Sequence, residues 1–150
     1  MRTVVTFRST AFNTTEPKPY FINPCCFGDD LAQWLIGELR HRGLDTDEKP
    51  GQEDFGWYLD FQIVGVRSTL VIGFGSPPLE GSVDETWIGW IERSRGFLGS
   101  VLGGRDRDID PSAVELIHTI LSTSPKFRDV LWHFREDFDK GNWAIGSPTP

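Results

Sequence analysis

EDFGWYLDFQIV, residues 53–64, is the stretch from which the fold can be read. Phe55, Trp57, Leu59, Phe61 and Ile63 recur at period two, with Gly56, Tyr58, Asp60 and Gln62 in the alternate places. Such alternation lines one face of a β-strand with apolar side chains. A helix would scatter the same residues around its circumference with Asp60 and Gln62 among them. A central strand is expected, with a core on the Trp57 side.

Beyond it, residues 65–68 read as a turn, and Leu70, Ile72 and Phe74 alternate with Thr69, Val71 and Gly73 as the second strand of a hairpin. Gly75-Ser76-Pro77-Pro78 ends that strand. A third meander strand over 85–92 puts Trp87 and Ile91 on one side and Ile88 and Trp90 on the other. Upstream, the polar run 45–53 is a link and 13–26, with Pro17, Pro19 and Pro24, is a loop. Between them a helix is expected over 30–42, with Asp30 as cap, Gln33 completing a capping box and Gly43 as terminator. Its apolar members Leu31, Ala32, Trp34, Leu35, Ile36 and Leu39 span a wide arc, which predicts heavy burial. Gly37 costs about 1 kcal/mol against alanine unless another backbone approaches closely. Glu38 falls inside the arc, and Arg42 is its partner one turn on.

Residues 2–10, with Val5 and Phe7 on one side, suit a first, outer strand. Residues 93–108 carry glycines and arginines and read as a loop anchored by Phe97, Leu98, Val101 and Leu102. Asp110 as N-cap and Pro111 at the first helical position open a second helix, which ends by Ser124-Pro125. Residues 126–135 fit both periods and are assigned to a strand. The remainder is too polar and proline-rich to order itself. The sum is α+β: a two-layer sandwich of mainly antiparallel sheet with two helices on one face, in the order β-α-β-β-β-α-β. One domain is expected over 1–146, with 147–150 as a flexible tail.

A chain of 150 residues with 6 Trp and 11 Phe has material for a core without cross-links. The formal charge of −7 opposes binding to nucleic acid or anionic membranes and favours a basic protein partner. Cys25 and Cys26 are adjacent and the chain has no other cysteine, so no disulfide framework is available and a reducing cytoplasm is expected. No signal core or membrane-length apolar run is present.

The combination of G-D-D-L-A-x-W-L (28–35), E-D-F-G-W (53–57), a glycine-ended strand (71–75) and G-G-R-D-R (103–107) resembles small uncharacterised bacterial proteins. The resemblance implies an α+β fold in a bacterial, cytoplasmic setting, and transfers no activity and no catalytic residues.

Candidate chemistry is sparse. Asp106, Asp108 and Asp110 begin like a calcium loop, but Pro111 and Ile117 stand where glycine and the bidentate glutamate belong. Gly99 and Gly104 have phosphate-loop spacing with Arg105-Asp106 in place of Lys-Ser/Thr. His41, His118 and His133 lack zinc-ligand spacing, and His118, outside the apolar arc of its helix, is expected in solvent. No metal and no cofactor is expected. Cys25 and Cys26 precede a helix start, where a thiol can be activated, and with Asp29, Glu53 and Asp54 they form an alternative cleft for a small ligand or a hydrolase. The reading leans away from an enzyme and toward an immunity- or antitoxin-like interaction protein, homodimeric or heteromeric. Its expected association surface is the second sheet face, with Tyr58, Ile88 and Trp90, unless the terminal segment with Trp143 and Ile145 covers it.

Overall fold

A computed structural model describes residues 1–75, 86–94 and 108–150. In chain order these form β1 (Val4–Arg8), α1 (Asp29–His41), β2 (Asp45–Thr46), β3 (Gly51–Glu53), β4 (Gly56–Ile63), β5 (Val66–Phe74), β6 (Thr86–Arg93), α2 (Pro111–Thr123), β7 (Arg128–His133) and α3 (Arg135–Asp139). The seven described strands make one sheet of order β2-β4-β5-β6-β1-β7, with β3 also beside β4. Every pairing is antiparallel. Leu35 of α1 and Ile117 and Leu121 of α2 meet Val5, Phe7, Leu70 and Ile72, so both long helices cover one face. The architecture is the expected two-layer α+β sandwich. Among the described residues, no helix is long and apolar enough to cross a membrane.

Alternation on β4 works as its sequence requires: Trp57, Leu59 and Phe61 are buried, and Ile63 packs against the same cluster. Phe55 is the exception. It lies in the turn before β4, 51 % exposed, with its ring 5.8 Å from that of Trp90. The reversal happens at Gly56, whose φ of +151° is open to glycine and where a Cβ would strike the Ile72 carbonyl. The β4–β5 turn is also tighter than expected. Ile63 pairs with Val66, leaving Val64 and Gly65, with φ of 50° and 78°, as a two-residue turn of the primed kind that matches strand twist.

Several boundaries depart from the sequence reading. β1 is an inner strand between β6 and β7, because Val4 packs on the side opposite Val5 and Phe7 and both faces are covered. The supposed link 45–53 contributes β2 and β3, both paired to β4. α1 starts from Gly28 without a side-chain cap. Asp30 instead accepts from the amides of Leu31 (2.9 Å) and Asn13 (2.8 Å), tying the proline-rich loop to the helix. The C-terminus follows expectation: Gly43, at φ +80°, donates to the Arg40 carbonyl and Leu44 to that of Leu39, a Schellman closure. Glu38 and Arg42 pair at 2.7 Å, but at the half-exposed surface. No backbone approaches Gly37, which has open space around it. The features expected over 76–85 and 95–107, including the glycine-arginine loop, G-G-R-D-R and Asp106, lie outside the described residues.

α2 runs as predicted, with the Asp110 carboxylate accepting from the Ser112 amide at 2.8 Å. β7 is a strand, and the arbiter is β1: Val4 to Thr6 pair with His133 to Leu131, and a bulge follows where Asp129 takes φ +52°. His118 is not in solvent but half-buried, and its Nδ1 accepts from Trp132 Nε1 at 3.2 Å. The domain boundary expected at Gly146 falls beside a further bridge, where Ser147 and Trp132 exchange two backbone hydrogen bonds of 2.7 and 2.9 Å.

This terminal segment crosses His133, which is 1 % exposed on the second sheet face. Nε2 lies 2.9 Å from Thr6 Oγ1, and the ring packs on Phe138 of α3. Burial pushes the imidazole pKa down, the Ile145 carbonyl acts in the opposite sense and the Arg2 charge lowers it further.

Three outcomes are expected. Trp57→Ala should lower unfolding free energy by about 3 to 5 kcal/mol in a denaturant titration, through lost burial and the cavity left behind. Gly37→Ala should raise it by about 0.5 to 1 kcal/mol, because nothing offsets the glycine. For His133 the unfolded chain binds a proton that the folded chain refuses, so stability present above the ordinary histidine value is lost as pH falls from there to the lowered folded value. His133→Gln should flatten that part of the stability–pH curve relative to wild type.

Candidate functional site

Two loops and two elements converge on Trp57 at the start of β4. Its ring is 5 % exposed, and Nε1 donates to the Cys26 carbonyl at 2.9 Å. Phe21 and Tyr20 pack edge-on to it at centroid distances of 5.3 and 6.4 Å. The loop that carries them is irregular but pinned. The Asn13 side chain accepts from the amides of Thr15 and Glu16 and donates to the Glu16 carbonyl, and Gln52 Oε1 of β3 receives the Ile22 amide at 2.8 Å.

Between this loop, the first turn of α1 and the β2–β3 connection lies a cleft of about 510 Å³. Tyr20, Trp57 and Pro50 form its apolar walls, and Asp29, Asp30, Gln33 and Lys49 supply its polar groups. The size is that of a small-molecule or side-chain pocket. Tyr20 donates its hydroxyl to Asp29 Oδ2 at 2.5 Å, and this hydrogen bond, helped by burial and the nearby carboxylates, raises the phenol pKa. Asp29 Oδ1 is buried without a hydrogen-bond partner.

Of the residues expected in a cleft here, Asp29 lines it and the rest do not. Cys25 is exposed. Cys26 is half-buried and donates Sγ–H to the Asp54 carbonyl at 3.3 Å. Burial above all, with Cys25 and Asp54 adding to it, pushes its thiol pKa up, opposite to what a nucleophile needs. Glu53 and Asp54 sit exposed at the turn into β4. The histidines do not supply a base here: His41 ends α1, His118 bonds Trp132 and His133 is sealed under the terminal segment. Among the described residues no group of three His, Cys, Asp or Glu is placed to hold a metal ion. Asp108 pairs with Arg93 at 3.5 Å and Asp110 caps α2.

The second sheet face carries Tyr58, Ile88 and Trp90 in the expected phase. Tyr58, Val71, Trp90, Val4 and His133 follow one another across five strands, and Ile88 stands between Gly73 and Thr6 in a neighbouring row. Much of this face is occupied by the chain itself. The Trp90 ring meets Phe55 and the Arg135 guanidinium, 5.4 Å from its centroid, and its N–H donates to Glu92 at 2.8 Å. Tyr58 lies across Gly51, where a Cβ would collide with its ring. Asp60 accepts from Arg67, Thr69 and Ser94, and its hydrogen bond to Arg67 raises the guanidinium pKa. Trp143 packs on Phe138 and Ile145 remains 64 % exposed, so the terminal segment covers the β7 side and leaves the rest.

Tyr20, Gln33, Lys49 and Pro50 are the cleft residues that sequence reasoning missed. They lie in one loop, one helix turn and one strand connection, and of the residues expected in a cleft only Asp29 pointed toward the place. Comparison with protein families, with curated proteins and with solved structures gives no match, so the functional argument rests on geometry.

Proposed function

We propose that this chain is a non-catalytic binding protein that acts through a protein partner, in the manner of an immunity or antitoxin-like module. The observation that carries the reading is the cleft at the start of α1. Its lining is recognition chemistry, with aromatic walls, a half-used carboxylate and a lysine, and the thiol nearest to it is held protonated. Exposed apolar residues adjoin it: Tyr20 is 64 % and Ile22 69 % exposed, the mixture of aromatic, aliphatic and charged groups that interfaces favour. Tyr58, Ile88 and Trp90 contribute less to this reading, because Tyr58 lies across Gly51 and Trp90 is engaged by Phe55, Arg135 and Glu92.

The cleft volume also suits a small molecule, the second reading. A pull-down with the whole chain at low salt, run beside a thermal-shift screen of metabolites and metal ions, separates the two. The expected result is a stoichiometric protein partner, captured equally by the Cys25→Ser/Cys26→Ser variant. Stabilisation by a small molecule with no captured protein, or loss of capture in the cysteine variant, overturns the reading.

A further inference from the structure

We propose that the cleft at the start of α1 and the border around it form the docking surface for a basic polypeptide, with an arginine or lysine side chain entering the space lined by Tyr20, Pro50 and Trp57. The inference rests on the protein-binding reading above and names the surface and the chemistry of its partner.

Charge complementarity selects the occupant. Glu48, Glu53 and Asp54 on and beside the β2–β3 segment are all exposed, and no ion pair engages them among the described residues. Asp29 and Asp30 line the cleft with Lys49 and Pro50 of the β2–β3 connection, and Lys49 is the cation among its lining residues. Asp29, Asp30, Glu48, Glu53 and Asp54 stand against Lys49 and against Arg40, whose guanidinium donates to Thr46 Oγ1 and the Asp47 carbonyl at 2.8 Å, and this edge stays net negative even after the helix dipole is counted, since the dipole supplies about half a unit charge. Asp47 does not belong to the set, because Arg67 neutralises it at 2.7 Å. Asp30 is committed too, to the Leu31 and Asn13 amides. Asp29 is not: one oxygen takes the Tyr20 hydroxyl and the other has no partner.

An acidic rim alone would attract any cation weakly, and the walls add the selectivity. The Tyr20 and Trp57 rings stand edge to face, and Pro50 lines the same space. A guanidinium or ammonium on an aliphatic stem satisfies both halves of such a site, the stem lying along the rings and the head reaching the carboxylate. Ile22, exposed and tied through its amide to Gln52, gives an apolar neighbour of that side chain a place to rest. The partner is therefore a segment in which basic and apolar residues alternate. Free phosphate, nucleic acid and anionic lipid carry the wrong sign for this edge.

The test uses the full chain and a fluorescein-labelled peptide alternating arginine and leucine, followed by fluorescence polarisation at low and at physiological salt. Saturable binding that weakens with salt is expected, and a glutamate–leucine peptide should not bind. Asp29→Asn should weaken binding by about tenfold, whereas Asp139→Asn, on the remote α3, should leave it unchanged. If Asp29→Asn lowers the melting temperature, the exposed pair Glu48→Gln/Glu53→Gln takes its place with the same expectation. Equal weakening by Asp139→Asn would mean attraction to net charge alone and overturns the proposal, as does the absence of binding. A captured protein partner that neither the arginine peptide displaces nor Asp29→Asn weakens would sink this inference and leave the protein-binding reading standing. Capture of no partner at all would remove that reading itself.

Discussion

The indole of Trp57 joins the two halves of this molecule. Its ring belongs to the buried row of β4, and its N–H is satisfied by the Cys26 carbonyl, in the loop that precedes α1. A buried indole N–H without that acceptor would cost on the order of 1 to 3 kcal/mol. One side chain thus sets the height of the loop over the sheet. Because Tyr20 and Phe21 pack on the same ring, the wall of the cleft inherits the rigidity of the core.

Aromatic contacts carry that order further. Phe21 meets Phe27, Phe27 meets Phe74, Phe74 meets Trp87, and Phe12 links Trp87 to Phe127 and Trp34. The path runs from the cleft across the core side of the sheet to Trp34 of α1 and to Phe127 ahead of β7. A loop with three prolines and no regular structure is held in place because its half-buried phenylalanines pack in this series, each edge-to-face contact adding about 0.5 to 1.5 kcal/mol beyond area. Loops of this kind, fixed by a scaffold, are where binding residues are usually found.

The electrostatics follow a similar division. On the sheet face away from the long helices, Asp60 gathers Arg67, Thr69 and Ser94 into a closed network, and Glu92 joins Trp90 and Arg135. Along the β2–β3 edge Asp47 pairs with Arg67, and Glu48, Glu53 and Asp54 have no such partners among the described residues. Charge that is neutralised within the fold serves structure, and charge left unpaired at a surface is available for association.

Residues 53–64 alone determined that a strand with one apolar face organises this chain, since period two admits no other regular packing. The Asp110-Pro111 start of α2, the Gly43 end of α1 and the Glu38–Arg42 pair were equally legible, because caps and one-turn pairs depend on neighbours in sequence. Tertiary structure decided what depends on distant partners. β2 and β3 exist because β4 offers an edge to pair with, and the polar run 45–53 has no pattern of its own to announce them. β1 is interior because β7 returns beside it, a placement no local signal encodes. Asp30 abandoned the cap for Asn13, seventeen residues away, and Phe55 left the strand because Gly56 turns the backbone. Of the cleft, only Asp29 was visible as a site residue, while Trp57 was legible as core. Tyr20, Gln33, Lys49 and Pro50 reach it only when loop, helix and edge strand close around one indole, and such proximity is set by long-range packing rather than by spacing along the chain.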